Sequence, residues 1–258
     1  MNKFKTIALS IAITILGGTA MAQETIKYQT ESAKYEGYLV TPTGSGDLDG
    51  VSILFAHDFL GPSENQLSLA RTYAERGALS LVADFYGEGI RPSSPDKANE
   101  EAMRVRQDIP ELRATMVEAL SVLIANGGKA ENTVVIGTSV GALAALELGR
   151  SDKEVHTIVT LWGILENTKP DSATPIRAKV VLLQGDQDPL APQAAIENVT
   201  TEFGKDGTPY ELVKYEQTAH AFTLPFIGTD LSSGFAYNEE SSNDAEKRVS
   251  AILVEAAK

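Results

Sequence analysis

Thr133–Leu146 constrains the chain more tightly than any other stretch; it reads Thr-Val-Val-Ile-Gly-Thr-Ser-Val-Gly-Ala-Leu-Ala-Ala-Leu. The β-branched run Val134, Val135 and Ile136 favours an extended strand. It stops at a Gly-x-Ser-x-Gly pentapeptide, Gly137 to Gly141, and a helix rich in alanine and leucine begins at once. A strand that turns into a helix this abruptly puts Ser139 in a strained conformation, so its close neighbours must be small. Gly137, Gly141 and Ala142 meet that need. The pentapeptide alone is also compatible with a glycine-rich structural turn, so the rest of the chain has to supply partners for the serine.

Apolar runs and helical patterns alternate along the sequence. Ile26 to Thr30 and Tyr35 to Val40 read as an antiparallel strand pair at a sheet edge. Val51 to Ala56 is continuously apolar, as suits a strand buried on both faces, and a helix is expected from Ser63 to Arg76. Leu79 to Phe85 is the next strand. A long helical region runs from Pro95 to Asn126, broken near Pro110. After the opening stretch come strands over Val155–Trp162, Val180–Leu183 and Tyr210–Tyr215, with helices over Pro192–Phe203 and Asp244–Ala257. This alternation predicts an α/β fold: a mostly parallel sheet with helices on both faces, an antiparallel N-terminal pair and no large lid.

Met1 to Ala22 carries Lys3 and Lys5, an apolar run from Ile7 to Leu16 and the ending Ala20-Met21-Ala22. That is the pattern of a secretory signal peptide, too short in its apolar core to span a bilayer. The expectation is an exported protein, periplasmic or secreted, whose mature residues 23–258 form one domain without a membrane anchor. The full chain has a net charge of −13, and loss of Lys3 and Lys5 makes it more negative. Such a balance argues against nucleic acid or an anionic membrane as partner. The chain has no cysteine, which excludes disulfides and a thiol nucleophile. Its histidines are His57, His156 and His220. No metal-ligand spacing and no dinucleotide or phosphate loop is present, so neither metal nor cofactor is expected.

In open parallel sheets ligands bind beyond the carboxyl ends of the strands. Four such ends carry reactive groups: Ser139 after Ile136; Asp186 and Asp188 after Leu183; His220 after Tyr215; His57, Asp58 and Phe59 after Phe55. Serine, carboxylate and histidine in that chain order suit nucleophilic acyl transfer. His220 would take the proton of Ser139 and return it to a leaving alkoxide, and an aspartate would hold the imidazole in the right tautomer. Asp188, placed where the loop gives way to Pro189 and Pro192, and Asp186, nearer the strand, compete for that role; Asp188 is preferred, in part on the resemblance given below. The backbone N–H of Val140 and, from the earlier loop, of Phe59 would face the developing oxyanion. His57, a rival base, precedes the nucleophile and reads as a supporting loop residue; His156 reads as structural. Phe59, Phe85, Tyr86, Trp162, Phe222 and Phe226 are candidates to line an apolar acyl pocket.

Four segments together resemble the dienelactone hydrolase family of α/β hydrolases. They are Ala56-His57-Asp58-Phe59-Leu60-Gly61, Ala83-Asp84-Phe85-Tyr86-Gly87, Gly137 to Gly141, and Gly185 to Pro192 with His220-Ala221-Phe222. The likeness implies a nucleophile at Ser139, an acid at Asp188, a base at His220, oxyanion donors at Phe59 and Val140, and an acidic neighbour of the nucleophile at Asp58. Two departures are visible. The family's name-giving enzymes have cysteine at the elbow, and they hold a substrate carboxylate with arginines at places that here read Glu88 and Leu224. Arg91 reads as a solvated loop residue or a stand-in for one of them. These departures point to a general serine esterase rather than a lactone specialist. The expectation is hydrolysis of small carboxylic esters through an acyl-enzyme, with lactones a secondary candidate class and dienelactone itself poorly matched. A non-catalytic binding protein on the same fold, or a peptidase or acyltransferase with the same triad, is the alternative.

Overall fold

The structure, a computed structural model, describes residues 23–166 and 174–258; the expected leader, residues 1–22, lies outside them. The chain order is β1 (Gln23–Gln29), β2 (Lys34–Val40), β3 (Ser52–Ala56), α1 (Glu64–Glu75), β4 (Leu79–Ala83), α2 (Pro95–Gln107), α3 (Ile109–Ala125) and β5 (Thr133–Thr138). It continues with α4 (Val140–Gly149), β6 (Thr157–Leu161), β7 (Lys179–Gly185), α5 (Gln193–Asp206), β8 (Tyr210–Tyr215) and α6 (Glu239–Ala256). The strands form one sheet in the order β1-β2-β4-β3-β5-β6-β7-β8. β1 and β2 are antiparallel to each other, β2 is antiparallel to β4, and every other pairing is parallel. β3, β4 and β6 are buried at every position, which explains their lack of polar alternation.

Two apolar layers sandwich the sheet. One holds residues of α2, α3, α4 and α5, including Leu112, Met116, Leu143 and Phe203. The other holds residues of α1 and α6, including Leu67, Ala70, Val249 and Leu253. The order in which strands are added to the sheet reverses at β3: β4 pairs on one side of it and β5 on the other, both parallel to it. Clefts open at the carboxyl ends of strands where such a reversal occurs. Both the loop after β3 and the turn after β5 therefore meet in one place. Among the described residues no helix is long and apolar enough to cross a membrane.

Of the boundaries that differ from the sequence reading, three have a clear local reason. β4 ends at Ala83 rather than Phe85 because the Asp84 carboxylate accepts the backbone N–H groups of Tyr86, Gly87 and Glu36; these bonds turn the chain out of the ladder. The break in the long helical region falls at Asp108, whose carboxylate accepts the Glu111 N–H and caps α3, with Pro110 in its first turn. α6 starts at Glu239, five residues before Asp244, because Asn238 caps it through the Ser241 N–H.

Candidate active site

Ser139 sits between β5 and α4 with φ 53° and ψ −121°, a conformation costly for any residue but glycine. Surrounding packing compels it. A methyl group on Gly137 would collide with the Gly141 carbonyl, and one on Gly141 with the carbonyl oxygens of Ala56 and His57. The first turn of α4 thus rests directly on the end of β3. The Ser139 N–H donates to Leu161 O at 3.3 Å and its carbonyl accepts the Ile164 N–H at 2.9 Å, fixing the turn to β6 and the loop beyond.

The Ser139 hydroxyl donates to His220 Nε2 at 3.0 Å, and His220 Nδ1 donates to Asp188 Oδ2 at 2.8 Å. All three residues are almost fully buried, at 2%, 3% and 4% exposure. The imidazole has little freedom. Its backbone N–H donates to Gly234 O and its carbonyl accepts the Ala236 N–H. Trp162 and Phe235 meet its ring edge-on, with centroids at 5.0 and 5.3 Å. Trp162 is itself held at φ 40°, with its indole N–H donating to Thr223 Oγ1 at 2.9 Å.

Asp188, not Asp186, meets the histidine. Asp186 is exposed and accepts the Thr218 N–H of the loop after β8. Asp188 Oδ1 accepts the Leu190 N–H at 2.8 Å, while Oδ2 also accepts Gln184 Nε2 at 2.6 Å. Gln184 is fully buried, and its carbonyl oxygen accepts the Gly163 N–H at 2.9 Å. This glutamine was missed by the sequence reading. Its only signal was a polar residue closing the apolar run Val180 to Leu183.

The loop after β3 leaves the strand with the Ala56 and His57 carbonyls against Gly141 in the first turn of α4 and runs on through Asp58 and Phe59. Among the described residues, the backbone N–H groups of Phe59 and Val140 donate to no protein acceptor, so both are available to an incoming oxygen. The Phe59 carbonyl accepts the Tyr86 hydroxyl at 3.0 Å, and Asp58 accepts from Leu60 N–H at 2.8 Å and Gln66 Nε2 at 3.1 Å. Burial pushes the Asp58 carboxyl up, against the pull of these bonds and of nearby His220. His57 lies beneath the loop. Its ring stacks on Phe85 at 3.6 Å, Nδ1 donates to Asp58 O at 2.6 Å and Nε2 accepts the Phe85 N–H at 3.4 Å. Burial pushes this imidazole down to about 3, so it is a neutral part of the scaffold. His156 bonds the neighbouring Thr157 hydroxyl.

Arg91 is not a solvated loop arginine. It is partly buried, donates to the carbonyls of Ile90 and Glu36, and lies 3.6 Å from Asp84 and 3.8 Å from Glu36; these partners fix it in the scaffold. Glu88 pairs with Lys27 on the surface. Of the six aromatic candidates, Trp162 and Phe226 line a cavity beside the site, together with Thr138, Asp58 and Leu224. Phe85, Tyr86 and Phe222 are buried in the two apolar layers, and Phe59 packs on one of them. No group of three or more histidine, aspartate or glutamate residues among the described residues could hold a metal ion.

A mostly parallel eight-stranded sheet, with a serine elbow after β5, an acid after β7 and a histidine after β8, defines the α/β-hydrolase fold. The sequence profile of the dienelactone hydrolase family matches residues 35–256. The chain belongs to the dienelactone hydrolase family. Similar solved structures include a chain named m3DLH, at 25% identity over 91% of this chain and 98% of its own, with a TM-score of 0.82. A dienelactone hydrolase-like promiscuous phosphotriesterase from metagenomic libraries is 21% identical over 90% and 97%, with a TM-score of 0.78. A carboxylesterase, Cest-2923 of Lactobacillus plantarum WCFS1, is 11% identical over 92% and 98%, with a TM-score of 0.63. No curated protein matches the sequence.

Proposed function

We propose that the protein hydrolyses small carboxylic esters through an acyl-enzyme on Ser139. The observation that carries this reading is the chain of two hydrogen bonds from Ser139 through His220 Nε2 and Nδ1 to Asp188. His220 accepts the hydroxyl proton as Ser139 Oγ attacks the ester carbonyl. The carbonyl oxygen becomes an oxyanion facing the Phe59 N–H in the loop after β3 and the Val140 N–H at the start of α4. Collapse breaks the bond to the alkoxide, which takes the proton from His220 and leaves as the alcohol. Water then loses a proton to His220 and attacks the acyl-enzyme; the second collapse returns the proton to Ser139 and frees the acid. Asp188 stabilises the imidazolium that exists between these transfers. Family membership and the esterase among the structural neighbours support the same reading.

Incubation with a small fluorophosphonate tests it. The expected outcome is stoichiometric labelling of the wild type and none of Ser139→Ala, together with turnover of p-nitrophenyl acetate that is lost in the same variant. Equal labelling of both proteins would refute the mechanism, and no labelling of either would favour a binding protein on the same fold. Export is a separate part of the reading and rests on the leader sequence alone; fractionation of expressing cells with the full-length and leaderless chains tests it.

A further inference from the structure

A cavity of about 530 Å³ opens between α1, α6 and the segment after His220, within the ~300–1,000 Å³ range of small-molecule sites. Ser139 and His220 do not line it, but their immediate neighbours do. Thr138 precedes the serine, Asp58 precedes an oxyanion donor, and Trp162 touches the His220 ring. The Thr138 hydroxyl is buried without a partner among the described residues. Apolar side chains dominate the remaining wall, Leu224 and Val249 inside and Leu69 and Phe226 towards the mouth. The last two are 48% and 62% exposed.

The charge on the wall has one sign. Asp58, Glu64 and Glu246 contribute to it, and no lysine or arginine is among its wall residues. Glu64 pairs with Arg71, while Glu246 bears on Tyr73, another wall residue, whose phenol is pushed up to about 12 chiefly by burial and further by that carboxylate. Arg91, the candidate stand-in for an arginine that would hold a carboxylate, is committed to Glu36, Ile90 and Asp84. An anionic group entering here would lose its water and gain no counter-charge.

We infer that this cavity receives an extended, uncharged apolar group of the ester substrate and rejects esters that carry a second, free carboxylate. The inference rests on the proposed hydrolase reading and assigns a substrate class to the same site. The wall serves either the acyl or the alcohol side of the ester bond, and two substrate series separate them.

The first series is p-nitrophenyl acetate, butyrate and octanoate with the mono-p-nitrophenyl ester of suberic acid; the second is methyl, butyl and octyl acetate. In one series kcat/KM should rise on the order of tenfold or more from the shortest to the octyl-length member. Where that is the acyl series, the suberate monoester should fall below the octanoate by a similar factor; where it is the alcohol series, the acetate ester of 8-hydroxyoctanoic acid should fall below octyl acetate in the same way. Leu69→Trp, at an exposed position, should bring the long-to-short ratio towards one, and Glu246→Lys should narrow the gap between the neutral and the carboxylate-bearing ester. Thermal melting confirms that each variant is folded. The neutral dye N-phenyl-1-naphthylamine gives a readout independent of turnover: its fluorescence should rise with the wild type and less with Leu69→Trp. If fluorophosphonate labels Ser139 but both series are flat, or Leu69→Trp leaves the ratios and dye binding unchanged, the cavity assignment is overturned while the hydrolase reading stands. If nothing labels and no ester turns over, the hydrolase reading fails and the substrate assignment falls with it, whatever the dye shows.

Discussion

Gln184 shows how much of this site depends on a residue that never touches substrate. Its amide donates to the same Asp188 oxygen that receives the His220 proton donor, and its carbonyl ties that acid to Gly163 in the loop holding the elbow. Removing it leaves a buried carboxylate oxygen with one donor fewer, a loss of ~1–3 kcal/mol. Gln184→Ala should lower kcat/KM for p-nitrophenyl acetate by roughly 10- to 100-fold; steady-state kinetics across pH, with the folded fraction checked by circular dichroism, reads it. His57 makes a different kind of prediction. Its neutral ring donates through Nδ1 and accepts through Nε2, so protonation would set a second N–H against that of Phe85. Its imidazole is depressed from 6.5 to about 3, so the unfolded chain takes up this proton first as pH falls. The stability it contributes is full above pH 6.5 and is lost progressively towards pH 3. Buried Asp58 and Asp84 are raised and act in the opposite sense, favouring the folded state most at low pH and losing that contribution as pH rises through their folded values. Urea denaturation at pH 7 and pH 4 should show a smaller acid loss in His57→Gln than in the wild type, since glutamine can satisfy both bonds without titrating.

The elbow is the element on which the others converge. β5 pairs with β3 so that Gly137 lies opposite Ala56, and α4 begins over the end of β3 with no room for a side chain at Gly141. That close approach aims the first N–H groups of α4 towards the loop carrying Phe59. Gly141→Ala should therefore cost several kcal/mol of stability, on the order of 3–5, because backbone rather than a flexible side chain must move. Chemical denaturation measures it, and a loss below about 1 kcal/mol would mean that the helix can slide without penalty. The elbow was legible because its demands are local: β-branched residues, then glycines, then helix formers. The cap at Asn238 and the strand-ending carboxylate of Asp84 were not, since each depends on where a side chain reaches in three dimensions.

Across the whole molecule, the apolar layer over α2 to α5 encloses a set of charges. Arg150, fully buried, donates through Nε and Nη2 to the two oxygens of Glu202 at 2.8 Å each and through Nη1 to Glu147 at 2.7 Å; Arg113 reaches Glu147 from α3. These bonds link α3, α4 and α5 at the C-terminal end of the elbow helix. Arg150→Met should destabilise the protein by ~3–5 kcal/mol, since buried carboxylates would lose their counter-charge; urea unfolding checks it, with fluorophosphonate labelling of the folded fraction reporting whether the elbow is preserved. The sequence by itself determined the alternation of strands and helices, the strained serine turn, and the order of serine, acid and histidine. Burial periodicity and turn sterics are carried by residues close together in the chain. Only the tertiary structure decided that Gln184 braces Asp188, that Arg91 is bound into the scaffold, and that the cavity beside the site is walled by α1 and α6. Those facts depend on the register of parallel strands and on the packing of helices far apart in sequence, which no local pattern records.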